Sequence, residues 1–307
     1  MTSPTPIAVT GATGAVGARV AQQLHDAGVP LRLVVRDASR APRWEGGAAV
    51  EVVEASYGDS AAVRRALEGI ELAFMVSAAE SADRVAEHAA FIESARASGV
   101  GHLVYTSFFG AAPDAVFTLG RDHYATEQLL RASGLGFTAL RDNFYADFLP
   151  MLAGEDGVIR GPARDGRVAA VARADVADAA VAVLRELHAA AAGASGGGAG
   201  AGTISPHVGA VYELTGPEAL TLAEVAGIVS ELGGRGPVVF HDETIDEAYA
   251  SRASYGAPPW QLDAWVSTYT AIATGELARV TPDVERLTGH PPRSLRDLLA
   301  AAAGPAR

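Results

Sequence analysis

Residues 7–20 read IAVTGATGAVGARV. A short apolar run ends in glycines spaced Gly-x-x-Gly-x-x-Gly, at Gly11, Gly14 and Gly17, and a helical pattern opens among them. Glycine tolerates the backbone angles of a tight turn and lets another chain or group approach without a Cβ in the way. A strand that enters a helix through such a turn is the opening of a βαβ unit, which demands a parallel sheet covered on both faces.

The rest of the first half keeps that rhythm. Apolar runs LRLVV, VEVVE, LAFMVS, HLVYTS and FTALR alternate with helical patterns at 15–27, 59–68, 82–98 and 121–133. The strands are apolar on successive positions, as expected when both sheet faces are buried. The fold class is therefore α/β, a doubly wound parallel sheet (Rossmann), with a smaller α+β C-terminal lobe for the substrate. We place the first domain at 1–149 and the smaller lobe at 150–307, with 189–206 a flexible Gly/Ala-rich insertion and part of 169–187 packing on the first domain. In the second half the helical patterns are 175–187, 221–232, 243–253 and 258–274.

Composition narrows the function. About half of the 307 residues are apolar, enough for a large core, and the net charge is −12 with no basic run, which argues against a nucleic-acid partner. There is no cysteine, so thiolate catalysis, disulfides and Cys-bound metals are excluded, and a reducing cytoplasm fits. No secretory leader or membrane span is expected. The eight histidines are scattered without metal-ligand spacing, so metal: none, and no Gly-x-Ser-x-Gly elbow supports a hydrolase.

A glycine turn opening a helix is suited to a diphosphate, because the helix N-terminus carries partial positive charge and free N–H groups. The second strand ends in VVRD. Arg36 there can clamp a 2′-phosphate with charge-assisted bonds, which favours NADP over NAD. Asp37 either reaches the ribose or caps the segment ASRAP.

On these residues the chain resembles the NmrA-like atypical short-chain dehydrogenases, and within them the type 2 NADPH-dependent quinone oxidoreductases. The matching stretches run in order along nearly the whole chain: IAVTGATGAVG, ASYGDSAAVRRALEGIE, VYTS, HYATEQLLRASGLGFTALRDNFYADF, DGRVAAVARADVADAA, YELTG and LTGHPPRSL. The resemblance implies that the loop Gly11, Ala12, Thr13, Gly14, Ala15, Val16 and the helix-opening Gly17 cradle the pyrophosphate of NADP (NADPH). It implies that Arg36 holds the adenosine phosphate and that Ser77, Ala78 and Ala79 line the adenosine side. Asp142, Asn143, Phe144, Tyr145, Ala146 and Asp147 would wrap the nicotinamide end, with Arg173 reaching back to it or pairing with Asp175 or Asp178. Ser56 stands where many relatives carry an acidic residue against adenine.

The helix TLGRDHYATEQLL has Gln128 four places after Tyr124, and the chain contains no lysine at all. The Tyr-Lys pair that protonates a ketone-derived alkoxide is therefore impossible. A quinone needs less help, since hydride addition leaves a weakly basic phenolate. Positioning and the coenzyme then carry the reaction. His123 is the best titratable candidate for assistance, backed by Tyr124 and Tyr145, or else a surface or capping histidine of the helix, with Glu127 at i+4 either tuning it or forming an ordinary surface pair. Phe108 and Phe109 follow the fifth strand where an apolar wall for a flat acceptor would stand, or pack in the core. Trp260 and Trp265 either close the acceptor pocket or, the favoured reading, fill the core of the smaller lobe. The function expected is NADPH-dependent hydride transfer to a small-molecule acceptor such as a quinone, in a protein for which a homodimer is compatible. The alternatives are a non-catalytic NAD(P) redox sensor that binds a partner protein, or a reductase of a specialised metabolite.

Overall fold

A computed structural model describes residues 5–194, 205–234 and 236–303. Strands β1 (Ile7–Thr10), β2 (Leu31–Val35), β3 (Val50–Glu54), β4 (Leu72–Met75), β5 (His102–Phe108) and β6 (Gly136–Asp142) alternate with helices α1 (Ala15–Asp26), α2 (Ser60–Leu67), α3 (Arg84–Ala97) and α4 (Thr118–Ser133). Next come β7 (Val158–Gly161), β8 (Arg167–Val168), α5 (Arg173–Ala194) and β9 (Ala210–Leu214). The chain closes with β10 (Leu220–Thr221), α6 (Leu222–Leu232), β11 (Val239–Asp242), α7 (Ile245–Ala253), α8 (Pro259–Ala273), α9 (Asp283–Thr288) and α10 (Leu295–Ala303).

The main sheet runs β3-β2-β1-β4-β5-β6-β9, and the pairs β3-β2, β2-β1, β1-β4 and β4-β5 are parallel. Every residue of β1 and β4 is buried, as the unbroken apolar runs predict for strands covered on both faces. The order reverses between β1 and β4. That reversal opens a crevice at the carboxyl ends of these two strands, where open α/β sheets bind ligands.

The chain divides into two compact units. The first comprises residues 1–107, 125–140 and 176–212, the second 108–124, 141–175 and 213–307. The first is built on a core of Val63, Leu67, Ile70, Met75, Phe91, Leu103 and Tyr105 between the sheet and α2 and α3. The second has its own core, including Phe109, Leu149, Ile159, Val225, Val229, Ile272 and Leu295. It holds two small sheets, β7 with β11 in parallel and β8 with β10 antiparallel. Thr221 and Thr244 each form a capping box, with Glu224 and Glu247, that starts α6 and α7.

Helix α5 runs to Ala194, so residues 189–194 of the expected insertion continue a helix. The run of four alanines after His188 explains this, alanine being the best helix former. Residues 195–204 of that stretch lie outside the described residues. Among the described residues no helix is long and apolar enough to cross a membrane.

Candidate functional site

The first unit carries a cavity of about 540 Å³ lined by Gly11, Thr13 and Gly14 of the turn, Arg36 at the end of β2, Ser56 to Gly58 after β3, and Ser77 to Ala79 after β4. Sequence-expected residues from three separate strands thus converge on one crevice. Ala12, Ala15, Val16 and Gly17 belong to the same turn and the first turn of α1.

Gly11 and Gly17 are needed for different reasons. Gly11 has φ +64°, and a Cβ there would come within 2.8 Å of the Val76 side chain on the β4 end. A Cβ on Gly17 would fall 2.3 Å from the Gly11 carbonyl oxygen, so helix and turn pack closer than any side chain permits. Gly14 is the N-cap of α1 and provides no side-chain cap, and no acidic residue stands in the helix's first turn. The positive end of the helix therefore faces the turn without a carboxylate to neutralise it.

Arg36 is exposed and has no hydrogen-bond or ion-pair partner among the described residues. Its neighbour Asp37 is occupied: its carboxylate accepts from the Ser39 N–H at 2.9 Å and the Ser39 hydroxyl at 2.6 Å, capping a 3-10 turn over Ala38–Arg40. These bonds hold its pKa below the ordinary carboxylate value. Of its two sequence readings, the cap is the one formed.

The wall behind the crevice is a hydrogen-bonded lattice absent from the sequence expectations. Tyr57 donates its phenol proton to the Val76 carbonyl at 2.6 Å, and the Val76 N–H donates to Thr10 Oγ1 at 2.9 Å. Since the phenol proton is spent, the 2.6 Å contact between Thr10 and Tyr57 has the threonine hydroxyl as donor. Burial pushes the Tyr57 pKa up, so the phenol stays neutral. The Ser77 N–H donates to Thr106 Oγ1 at 2.8 Å and the Ala78 N–H to His88 Nε2 at 2.8 Å. Because Nε2 accepts, Nδ1 carries the proton and donates to Thr126 Oγ1 at 2.8 Å. Burial, then the charge of Arg84, lowers the His88 pKa to about 3, so the imidazole is neutral at physiological pH. Deeper in this unit Ser107 donates to the fully buried Glu127 at 2.7 Å, and Arg131 donates to the same carboxylate at 3.0 Å.

The other expected residues lie in the second unit. Tyr145 donates its phenol to the buried Asp142 carboxylate, and the Arg173 guanidinium stands 4.9 Å over the Tyr145 ring. The Arg173 N–H donates to Asp147 at 2.8 Å, and the Ala146 N–H to the Val171 carbonyl at 2.8 Å. Asn143 bonds the Leu277 carbonyl at 3.0 Å and accepts from the Phe144 N–H at 2.7 Å. Asp142 to Asp147 and Arg173 thus form one group. Arg173 makes no ion pair among the described residues, because the buried Asp175 carboxylate accepts instead from the Arg293 N–H at 2.7 Å and from the Arg293 guanidinium. His123 is only 5 % exposed, its ring 6.0 Å from that of Phe108, which in turn lies 4.7 Å from Phe117. Phe109 is a core residue. Trp260 and Trp265 are half-buried and outside that core, and Trp265 meets the exposed Tyr255 edge-on at 5.9 Å.

Residues 11–187 match the family model described as NAD(P)H-binding. A (4-alkanoyl-5-oxo-2,5-dihydrofuran-3-yl)methyl phosphate reductase of Streptomyces griseus is 38% identical over 97% of this chain and 98% of its own length. Quinone oxidoreductase 2 of Escherichia coli is 32% identical over 95% of this chain and 96% of its own. A crystal structure of an NADPH-dependent quinone oxidoreductase from Escherichia coli, complexed with NADPH, superposes with a TM-score of 0.82 at 30% identity, covering 97% of this chain and all of that one. Turn, crevice and whole-length similarity agree: the chain belongs to the NAD(P)H-binding family, and its relatives include quinone oxidoreductase 2 and, at 26% identity, an NmrA-like oxidoreductase of Aspergillus flavus.

Proposed function

We propose that the protein is an NADPH-dependent reductase of electron-poor conjugated acceptors, quinones or unsaturated ketone-like rings, in which no strong side-chain acid takes part. The observation that carries the reading is the joint lining of one crevice by the glycine turn and by Arg36. The first suits a diphosphate. The second is a free guanidinium suited to a 2′-phosphate.

The crevice fits the coenzyme on its own chemistry. Gly11 and Gly14 leave backbone where side chains would stand, α1 presents its uncompensated N-terminus, and the volume of about 540 Å³ suits a ligand of this class. Bound NADPH supplies the hydride. The chain's own residues hold the reaction in place: Arg36 and the turn fix the adenosine phosphate end, and the Thr10, Tyr57 and His88 lattice keeps the crevice wall in one conformation.

The acceptor class follows from what is missing. With no lysine in the chain, the ammonium-assisted phenol by which a Tyr-Lys pair serves ketone reduction is not available. Two similar proteins, named for a quinone and for an alkanoyl dihydrofuranone phosphate, point to acceptors whose conjugation spreads the charge left by hydride addition. The overall change is two-electron: acceptor, NADPH and one proton give the reduced acceptor and NADP+, the proton coming from water. In the second unit, the half-buried ring of Phe108, flanked by Phe117 and His123, offers a flat apolar surface for such an acceptor.

The test is anaerobic mixing of the purified protein with NADPH and a panel of benzoquinones, naphthoquinones and 2-acyl butenolides, following nicotinamide absorbance. Consumption with conjugated acceptors and none with simple ketones supports the reading. No consumption with any acceptor, despite tight NADPH binding, favours a redox sensor instead.

A further inference from the structure

We propose that Glu87 reads the base of the coenzyme, accepting the exocyclic amine of adenine, so that this crevice discriminates a 6-amino purine from a 6-oxo purine. The inference rests on the coenzyme reading of the crevice given above.

With the diphosphate at Gly11 to Gly14 and the ribose phosphate at Arg36, the wall left for the base is formed by the segments after β3 and β4 and the start of α3. Most polar groups on this wall are already committed. The Tyr57 phenol bonds Val76 and Thr10, the Ser77 N–H bonds Thr106, the Ala78 N–H bonds His88, and the Ala78 carbonyl accepts from Arg84 at 3.0 Å. Glu87 differs. It lines the cavity, and its carboxylate accepts a long 3.5 Å contact from the Ser81 hydroxyl.

The position is also a firm one. The Glu87 N–H donates to the Asp83 carbonyl at 2.9 Å in the opening turn of α3, so the carboxylate is carried on helix rather than loop. Tyr57 lines the same cavity, and after burial the Glu87 charge also raises the pKa of its phenol. A carboxylate only accepts hydrogen bonds, whereas the serine hydroxyls of the same wall can turn either way. Of the two carboxylates that line the cavity, Glu80 sits on the bend after β4 and Glu87 on the helix, and Glu87 supplies the directional preference: it favours the adenine N6 donor and repels the O6 acceptor of hypoxanthine. Ser56, on the segment after β3, lines the cavity without a charge.

Calorimetric dissociation constants for NADPH and for its reduced hypoxanthine analogue test this, on wild type and on Glu87→Gln. Wild type is expected to bind the analogue at least about tenfold more weakly, the scale of a charge-assisted bond replaced by a repulsive contact. In Glu87→Gln, whose amide can donate or accept, the gap should narrow to within about threefold. Equal binding of the two coenzymes by wild type, or an undiminished gap in the variant, overturns the role of Glu87 while leaving the crevice a coenzyme site. If neither coenzyme binds the folded protein, the reading of the crevice falls and this inference with it. The wild-type comparison needs no variant to fold.

Discussion

His88 accepts the backbone N–H of Ala78 through Nε2 at 2.8 Å, fixing the segment that lines the crevice after β4 with a side chain from the buried face of α3. Replacing His88 with Ala removes that acceptor from a buried group. We expect a loss of about 2–4 kcal/mol in urea denaturation, together with weaker NADPH binding because Ser77 to Ala79 are no longer held. Unchanged coenzyme affinity in a folded variant would separate His88 from the site.

The same residue sets a pH dependence. Burial lowers the His88 pKa from 6.5 to about 3, and burial with the nearby His207 lowers that of His102 to about 4. Below pH 6.5 the unfolded chain takes up these protons while the native state refuses them, so the stability they contribute is complete above that value and declines as the pH falls. Around pH 5 each histidine should contribute a slope near 1.4 kcal/mol per pH unit. Denaturation curves at stepped pH values measure it, and His102→Gln should flatten the slope by one proton's worth.

Gly17→Ala places a Cβ against the Gly11 carbonyl, and neither atom sits on a flexible side chain. The turn must open, at a cost of about 1–3 kcal/mol, and NADPH affinity should fall at least about tenfold. Gly28→Ala is the control. Gly28 has φ +77° but no atom within 4 Å of the added Cβ, so it should cost about 1 kcal/mol and leave coenzyme binding alone.

Arg36→Gln should weaken NADPH by about tenfold to a hundredfold while leaving NADH nearly unchanged, since only the 2′-phosphate loses a partner. A parallel loss for both coenzymes would show that Arg36 serves the fold and not the phosphate.

Asp175 is fully buried, and burial raises its pKa against the opposing bonds from Arg293. Arg293→Ala strands a carboxylate and should destabilise by about 3–5 kcal/mol near neutral pH. The sign is specific. Protonation relieves the stranded charge, so the deficit should shrink toward acid pH, and adding Asp175→Asn should recover part of it. Equal deficits at all pH values in urea titrations would count against this.

Much of the first half was legible because its signals are local. β1 and β4 announce themselves by unbroken apolar runs, the turn by three glycines, and Arg36 by its place at the end of β2. What stayed hidden depends on contacts distant in the chain. Tyr57 meets Thr10 across 47 residues, and Asp175 finds Arg293 across 118, so the nearer expectation of an Arg173 pair failed. Helix α9, six residues long, and strand β11, largely exposed, have too little buried periodicity to be read ahead of the fold. The extension of α5 past Leu187 follows from its alanines, whereas the glycines that come after them dilute the helix propensity of the stretch as a whole.

The most direct measurement is an anaerobic single turnover with NADPH deuterated at the transferable position and excess benzoquinone, followed in a stopped-flow instrument from about pH 6 to pH 9. We expect nicotinamide absorbance to vanish with a primary isotope effect and a rate constant that hardly changes with pH, as hydride transfer without a side-chain acid requires. No transfer at any pH, or a rate that falls tenfold for each unit of rising pH, contradicts it.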